Sequence, residues 1–221
     1  YDGPASIKAM LEGLRDRFPG VEIAVPISAV LGTDIFDRFL DDNDLRYFAI
    51  ECEDDAEIQA RFRAAPFPEE AERDVAAFLG RATWPLAVRS SSLLEDSQHQ
   101  PFTGVYDTLM LPNNSWSIRE RVERAILAIK RVYASTFSQH AKAYLRATPY
   151  RLEEEKMAVI LQRIVGAPRG GRFYPDFSGV ARSHNFYPAP PMESADGVVA
   201  VALGMGRAIV EGGVCVRFCP R

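Results

Sequence analysis

Along the first eighty residues, apolar positions recur three and four apart, the period of helices that bury one face. Ile7, Met10, Leu11, Leu14 and Phe18 make one such stripe, which Pro19-Gly20 stops. Residues 21–25 break the period and predict a short strand ending at Pro26. Ile35, Phe36, Phe39 and Leu40 restore it as a short helix. The acidic stretch 51–57 reads as solvated, and Ile58 and Phe62 mark a helix behind it. Pro66-Phe67-Pro68 interrupts the chain. Pro68 is well placed to open the next helix, because a helix start leaves that N–H unbonded anyway. This helix carries Val75, Phe78 and Leu79 and closes at Gly80.

From Trp84 the pattern shortens into strands: residues 85–88, then a polar loop 90–100, then an alternating strand 105–111 turned by Pro112-Asn113-Asn114. Ser117 and Glu120 have capping-box spacing, and Ile118, Val122, Ile126, Ile129 and Tyr133 form one face of a long helix. A second helix passes through residues 141–145. Residues 157–165 form a near-continuous apolar run, which predicts a strand buried on both faces. A Gly/Pro/Arg turn over 166–171 precedes further strands at 177–181, 198–202 and 214–218. Strands separated by long helices predict an α+β arrangement of mixed sheets flanked by helices. A helix-rich N-terminal lobe over 1–83 and an α+β lobe over 84–221 are expected.

Composition narrows the partners. Twenty-six basic against thirty acidic residues leave a net charge of −4, so no basic footprint points to nucleic acid. No apolar run is long enough to span a membrane. Three cysteines make no disulfide framework, and the opening residues carry neither a basic start nor an apolar signal core. A cytoplasmic setting is expected. The chain opens on Tyr1 with a helical pattern already running by Ile7, so a piece of a longer protein, or a processed chain, is expected.

The candidate chemistry begins at Ala87-Val88-Arg89-Ser90-Ser91-Ser92, followed by Glu95-Asp96. An apolar strand there delivers a fixed cation beside hydroxyls and backbone N–H groups. The guanidinium fork matches an oxyanion, phosphate above all. The same spacing equally fits a plain strand-to-loop transition with Arg89 paired to Glu95 or Asp96. Gly104 of Phe102-Thr103-Gly104 permits close backbone approach to a ligand, or simply makes a turn.

Taken together these segments resemble the N-terminal nucleotide-binding domain of phosphoenolpyruvate synthase and pyruvate phosphate dikinase. The family's order continues through residues 158–165, where its apolar strand ends in Gln-x-Met-Val, and through Phe177-Ser178-Gly179-Val180-Ala181. Gly204-Met205-Gly206 stands where the family has Gly-Leu-Gly-Glu, and Val25-Pro26, Phe36 to Phe39 and Asn43-Asp44-Leu45 resemble its opening. The resemblance implies an ATP-grasp-like, two-lobed fold clasping ATP. It also implies transfer of a phosphoryl group to a histidine on a separate domain, which passes it to a pyruvate/phosphoenolpyruvate-binding domain. In that scheme Arg89 contacts the phosphates as the catalytic cation, with Ser90 and Ser91 beside it. Gln162, Arg163, Ile164 and Val165 line the adenine, and the loop 92–102 covers the phosphates. ATP is the implied cofactor and Mg²⁺ its implied metal, with ligands unidentified. A fragment holding only this domain is expected to be inactive.

The sequence also departs from the family. Arg207 replaces the acid of Gly-Leu-Gly-Glu, and the strand 198–202 carries no acid where relatives often place one. Arg182 follows the Gly-Val strand in place of an apolar residue. Arg182 and Arg207 are candidate phosphate donors standing in for metal ligands, and the remaining acids, Glu193, Asp196 and Glu211, match no ligand position. The family's Gly-Gly-Lys loop would lie just before Tyr1. These departures keep open a degenerate module that binds nucleotide, or a partner domain, as a non-catalytic sensor, and a purely structural lobe. His99, His140 and His184 read as surface or structural, Cys215 and Cys219 as small packing residues, and Glu153-Glu154-Glu155 as a solvated helix end.

Overall fold

A computed structural model describes residues 10, 11, 13, 14, 17–92, 95, 104–206, 209 and 213–220. The chain divides into two compact units, Tyr1–Arg163 and Ile164–Arg221. Residues 83–84, where the sequence suggests a lobe boundary, lie inside the first.

In the first unit, strands β1 (Ser28–Leu31), β2 (Leu86–Ser91), β3 (Thr108–Leu111) and β4 (Ala158–Arg163) form an antiparallel sheet in the order β1-β4-β2-β3. The helices are α1 (Thr33–Asp42), α2 (Leu45–Glu51), α3 (Asp55–Ala64), α4 (Glu69–Arg81), α5 (Ile118–Ser135) and α6 (Gln139–Arg146). Strand alternation sends Leu31, Leu86, Val88, Val159 and Leu161 into the core that these helices build. At its centre Phe36 meets Tyr133 edge-on with ring centroids 5.0 Å apart, and Phe39 meets Phe62 at 5.7 Å. That geometry suits the ring quadrupoles.

Polar side chains close the helix ends. Asp54 accepts N–H bonds from Ala56 and Glu57 at the start of α3, and Ser138 accepts from Ala141 at the start of α6. At α5 only half of the expected capping box forms. Ser117 accepts from the Glu120 N–H, but the Glu120 carboxylate takes bonds from Ser115 and Arg124 instead of reaching back. Two buried lysines serve helix C-termini. Lys142 donates to the Cys52 carbonyl at 2.6 Å after α2, and Lys130 donates to the Arg63 carbonyl in the last turn of α3 and to the Ala65 carbonyl just after it.

Several expectations need correction. The first strand begins after Pro26, not before it, and Val21 and Val25 are exposed. Pairing decides this, since residues 28–31 find a partner in β4. The acidic stretch 51–57 is exposed apart from half-buried Cys52, as expected, and Asp54 within it caps α3. Gly80 lies inside α4, which runs to Arg81. Strand β4 buries Val159 and Leu161 but leaves Ile160 and Gln162 half-exposed, so it is covered on one face only. Of the first predicted helix, Met10, Leu11, Gly13 and Leu14 are described and helical; Ile7 lies outside the described residues.

In the second unit, a hairpin joins β5 (Ala167–Arg169) to β6 (Arg172–Tyr174) through Gly170-Gly171, both at positive φ as a two-residue turn of this hand requires. Strands β7 (Phe177–Arg182), β8 (Val198–Leu203) and β9 (Val216–Phe218) form an antiparallel sheet in that order. One face carries Phe177, Val199, Val201, Leu203, Val216 and Phe218; the other carries Val180, Arg182, Ala200 and Arg217. Among the described residues of this unit no large apolar side chain is buried. No helix among the described residues is long and apolar enough to cross a membrane.

Candidate functional site

The face of the first sheet turned away from the helices carries Val30 on β1, Ile160 and Gln162 on β4, Ala87, Arg89 and Ser91 on β2, and Met110 on β3. Arg89 is exposed near the end of its strand and donates to Gln162 Oε1 at 3.1 Å. The bond spans 73 positions of sequence and fixes the guanidinium over the sheet. The alternative pairing of Arg89 with Glu95 is not made. Glu95 turns to the other side, accepting from the Ser90 hydroxyl at 2.8 Å and from the Ser92 N–H, while its own N–H is donated to Ser92 Oγ.

The structure therefore brings Arg89, Ser91 and Gln162 onto one face and separates Ser90 from them, because a one-residue step along a strand reverses the side chain. Arg163 ends β4 with its guanidinium 5.3 Å from the Trp84 ring centre, in cation–π geometry, whereas Trp116 is wholly exposed. Ile164 and Val165 belong to the second unit, Ile164 half-buried and Val165 exposed. Arg182 is exposed at the end of β7. Arg207 lies outside the described residues, as do Asp96, His99 and Glu211. Of the loop 92–102, Ser92 and Glu95 are described.

Glu155 escaped the sequence reading. The run Glu153-Glu154-Glu155 predicts a solvated end, yet Glu155 is buried and accepts the Tyr106 hydroxyl at 3.0 Å. Burial pushes its carboxyl above the ordinary range, and the charge of Glu95 adds to the shift; hydrogen bonds from Ser92 and Tyr106 work against it. Burial, with the Glu155 charge, likewise pushes the Tyr106 phenol up. This cluster lies beneath Ser90 and Ser92, on the core side of the strand end that presents Arg89. No signal in the run of three glutamates distinguishes the third.

Among the described residues no three acids, histidines or cysteines converge. Glu193 and Asp196 form a reciprocal capping box about the short turn Ser194–Asp196. In that box each carboxylate accepts a backbone N–H of the other residue.

An open sheet face with a tethered arginine defines a candidate anion-binding module in a mixed α+β chain. The family model described as the AMP/ATP-binding domain of pyruvate phosphate dikinase matches residues 5–216, and the chain belongs to this family. Over 198 residues it is 25% identical to the "Uncharacterized phosphotransferase YvkC" of Bacillus subtilis (strain 168), a match covering 87% of this chain. The chain spans 21% of that relative's length.

Proposed function

We propose that the chain is the ATP-binding module of a phosphotransferase of the phosphoenolpyruvate synthase/pyruvate phosphate dikinase type, with an ATP-grasp-like fold. It passes a phosphoryl group from ATP to a histidine on a separate domain. The observation that carries this reading is Arg89, held over the open sheet face by Gln162 in a chain of the AMP/ATP-binding family. Arg89 neutralises the phosphates, Ser91 offers a hydroxyl on the same face, and Gln162 and Arg163 border the base. Phosphoryl transfer asks a protein mainly for such positioning and charge neutralisation.

The test is ATP binding by thermal shift and calorimetry. Ligand at about 100 times its Kd adds about 2.7 kcal/mol, a rise of several degrees in Tm for a chain this size. The rise is expected with ATP and is expected to shrink strongly in Arg89→Ala. An unchanged Tm with ATP and AMP alike would remove this reading. A second reading, a nucleotide sensor without turnover, is favoured by Arg207 where the family has an acid and by the acid-free strand 198–202. Labelled phosphate moving from ATP to an added histidine-bearing domain separates the two, since a sensor binds ATP and transfers nothing.

A further inference from the structure

A groove of about 310 Å³ opens on the helix side of the first sheet, between α3, β3 and α5. Its floor is apolar: Leu109 and Leu111 of β3 are half-buried, and Leu127 of α5 is 47% exposed. Its rim is basic. Arg63 on α3 and Arg124, Lys130 and Arg131 on α5 contribute four cations, and no acid lines it among the described residues. In a chain whose net charge is −4, that is a local reversal of sign. Arg89 pairs with Thr108 in the sheet register, so Leu109 and Leu111 lie on the opposite face. The groove therefore stands on the other side of the sheet from the proposed phosphate contact.

Lys130 is engaged within the fold, its ammonium donating to the Arg63 and Ala65 carbonyls. The three arginines face solvent. Arg63 is exposed and makes no ion pair among the described residues. Arg124 pairs with Glu120 and Arg131 with Asp107. Solvent-accessible pairs of this kind hold weakly, and a guanidinium offers more N–H donors than one carboxylate takes up. Arg124, Leu127 and Arg131 share one face of α5 with the leucine in the middle. The two arginines stand about 10 Å apart along the helix axis.

Strand β3 is the edge of its sheet and pairs with β2 alone among the described residues. An edge offers backbone N–H and C=O groups to an added strand unless charges, proline or a bulge blunt it. Thr108-Leu109-Met110-Leu111 carries neither a charge nor a proline. Extended peptides dock on such edges through main-chain bonds, with alternate side chains dropping into the groove beside them. A segment of the pattern Glu-x-Leu-x-Glu would set its leucine against Leu127. Its two carboxylates, about 14 Å apart in an extended chain, would then reach toward Arg124 and Arg131.

We infer that this groove docks an extended acidic segment of a partner protein, which adds to the edge of β3 and anchors one apolar side chain among Leu109, Leu111 and Leu127. Arg63, Arg124 and Arg131 receive its carboxylates. The inference stands on the groove's lining and the strand order, and nucleotide enters it nowhere.

The test is an NMR titration of the isotope-labelled chain with the synthetic peptide acetyl-Thr-Glu-Thr-Leu-Thr-Glu-Thr-amide. Saturable shifts are expected at the amides of β3 and of residues 124–131 in α5, with an affinity that falls as salt rises. Replacing the peptide's leucine by serine, or its glutamates by lysines, is expected to lower the affinity roughly tenfold or more. Arg63→Glu and, separately, Leu127→Ser should weaken the original peptide to a similar degree with an unchanged Tm, since both side chains are exposed. No saturable shift at β3, equal binding of the serine peptide, or an unchanged affinity in Arg63→Glu would each overturn the inference. So would self-association: a dimer of the chain alone, seen in sedimentation velocity and dissolved by Arg63→Glu, would give the groove to a second copy.

Discussion

Glu155 shows how one buried carboxyl ties stability to pH. Burial raises its folded value above the ordinary 4.5 or so, so between the two values the folded chain holds a proton that the unfolded chain has released. By linkage, stability from this group is full below the unfolded value and is lost as pH rises through the folded one. Glu155→Gln removes the charge and keeps an acceptor for Tyr106. The variant is therefore expected to gain stability over the wild type as pH rises, measured by urea unfolding at about pH 4 and about pH 7.5. A difference that stays flat across that range would assign the group no such role. Arg89 works at the same scale in the opposite environment. Its charge is exposed, and a single bond donated to Gln162 Oε1 gives it direction.

At the scale of elements, helix α3 depends on Asp54, whose carboxylate takes two backbone N–H groups in the first turn. Asp54→Ala is expected to cost about 1 kcal/mol, read as a lowered Tm with unchanged ligand affinity. The helical stripes were the most legible part of the sequence, because Ile58 with Phe62, and Val122 through Tyr133, repeat a period that only one face can bury. Strand limits were less legible. Residues 21–25 and 28–31 are both mainly apolar, and the partner β4, more than a hundred residues on, chooses between them. Of the candidate site, Arg89 and Gln162 could be named from the resemblance, but their mutual bond could not. Ser90 read as a neighbour of Arg89 until strand alternation set it on the core side.

For the whole molecule, the apolar core is concentrated between Leu31 and Leu161, and the second unit has no large buried apolar side chain among its described residues. Backbone hydrogen exchange is expected to follow this division. Amides of β2, β4 and α5 should be the slowest, and those of β7 to β9 should exchange through lower-energy openings. Equal protection in the two units, measured by mass spectrometry, would contradict it. One pairing described above also supplies an optical reporter. The chain has two tryptophans, one wholly exposed at Trp116 and one at Trp84 beside the Arg163 guanidinium. With Trp116→Phe, the remaining emission comes from Trp84 alone, just before β2 and beside the Arg163 that ends β4. A ligand that draws Arg163 off the indole would announce itself in the colour and intensity of that light, with no label attached.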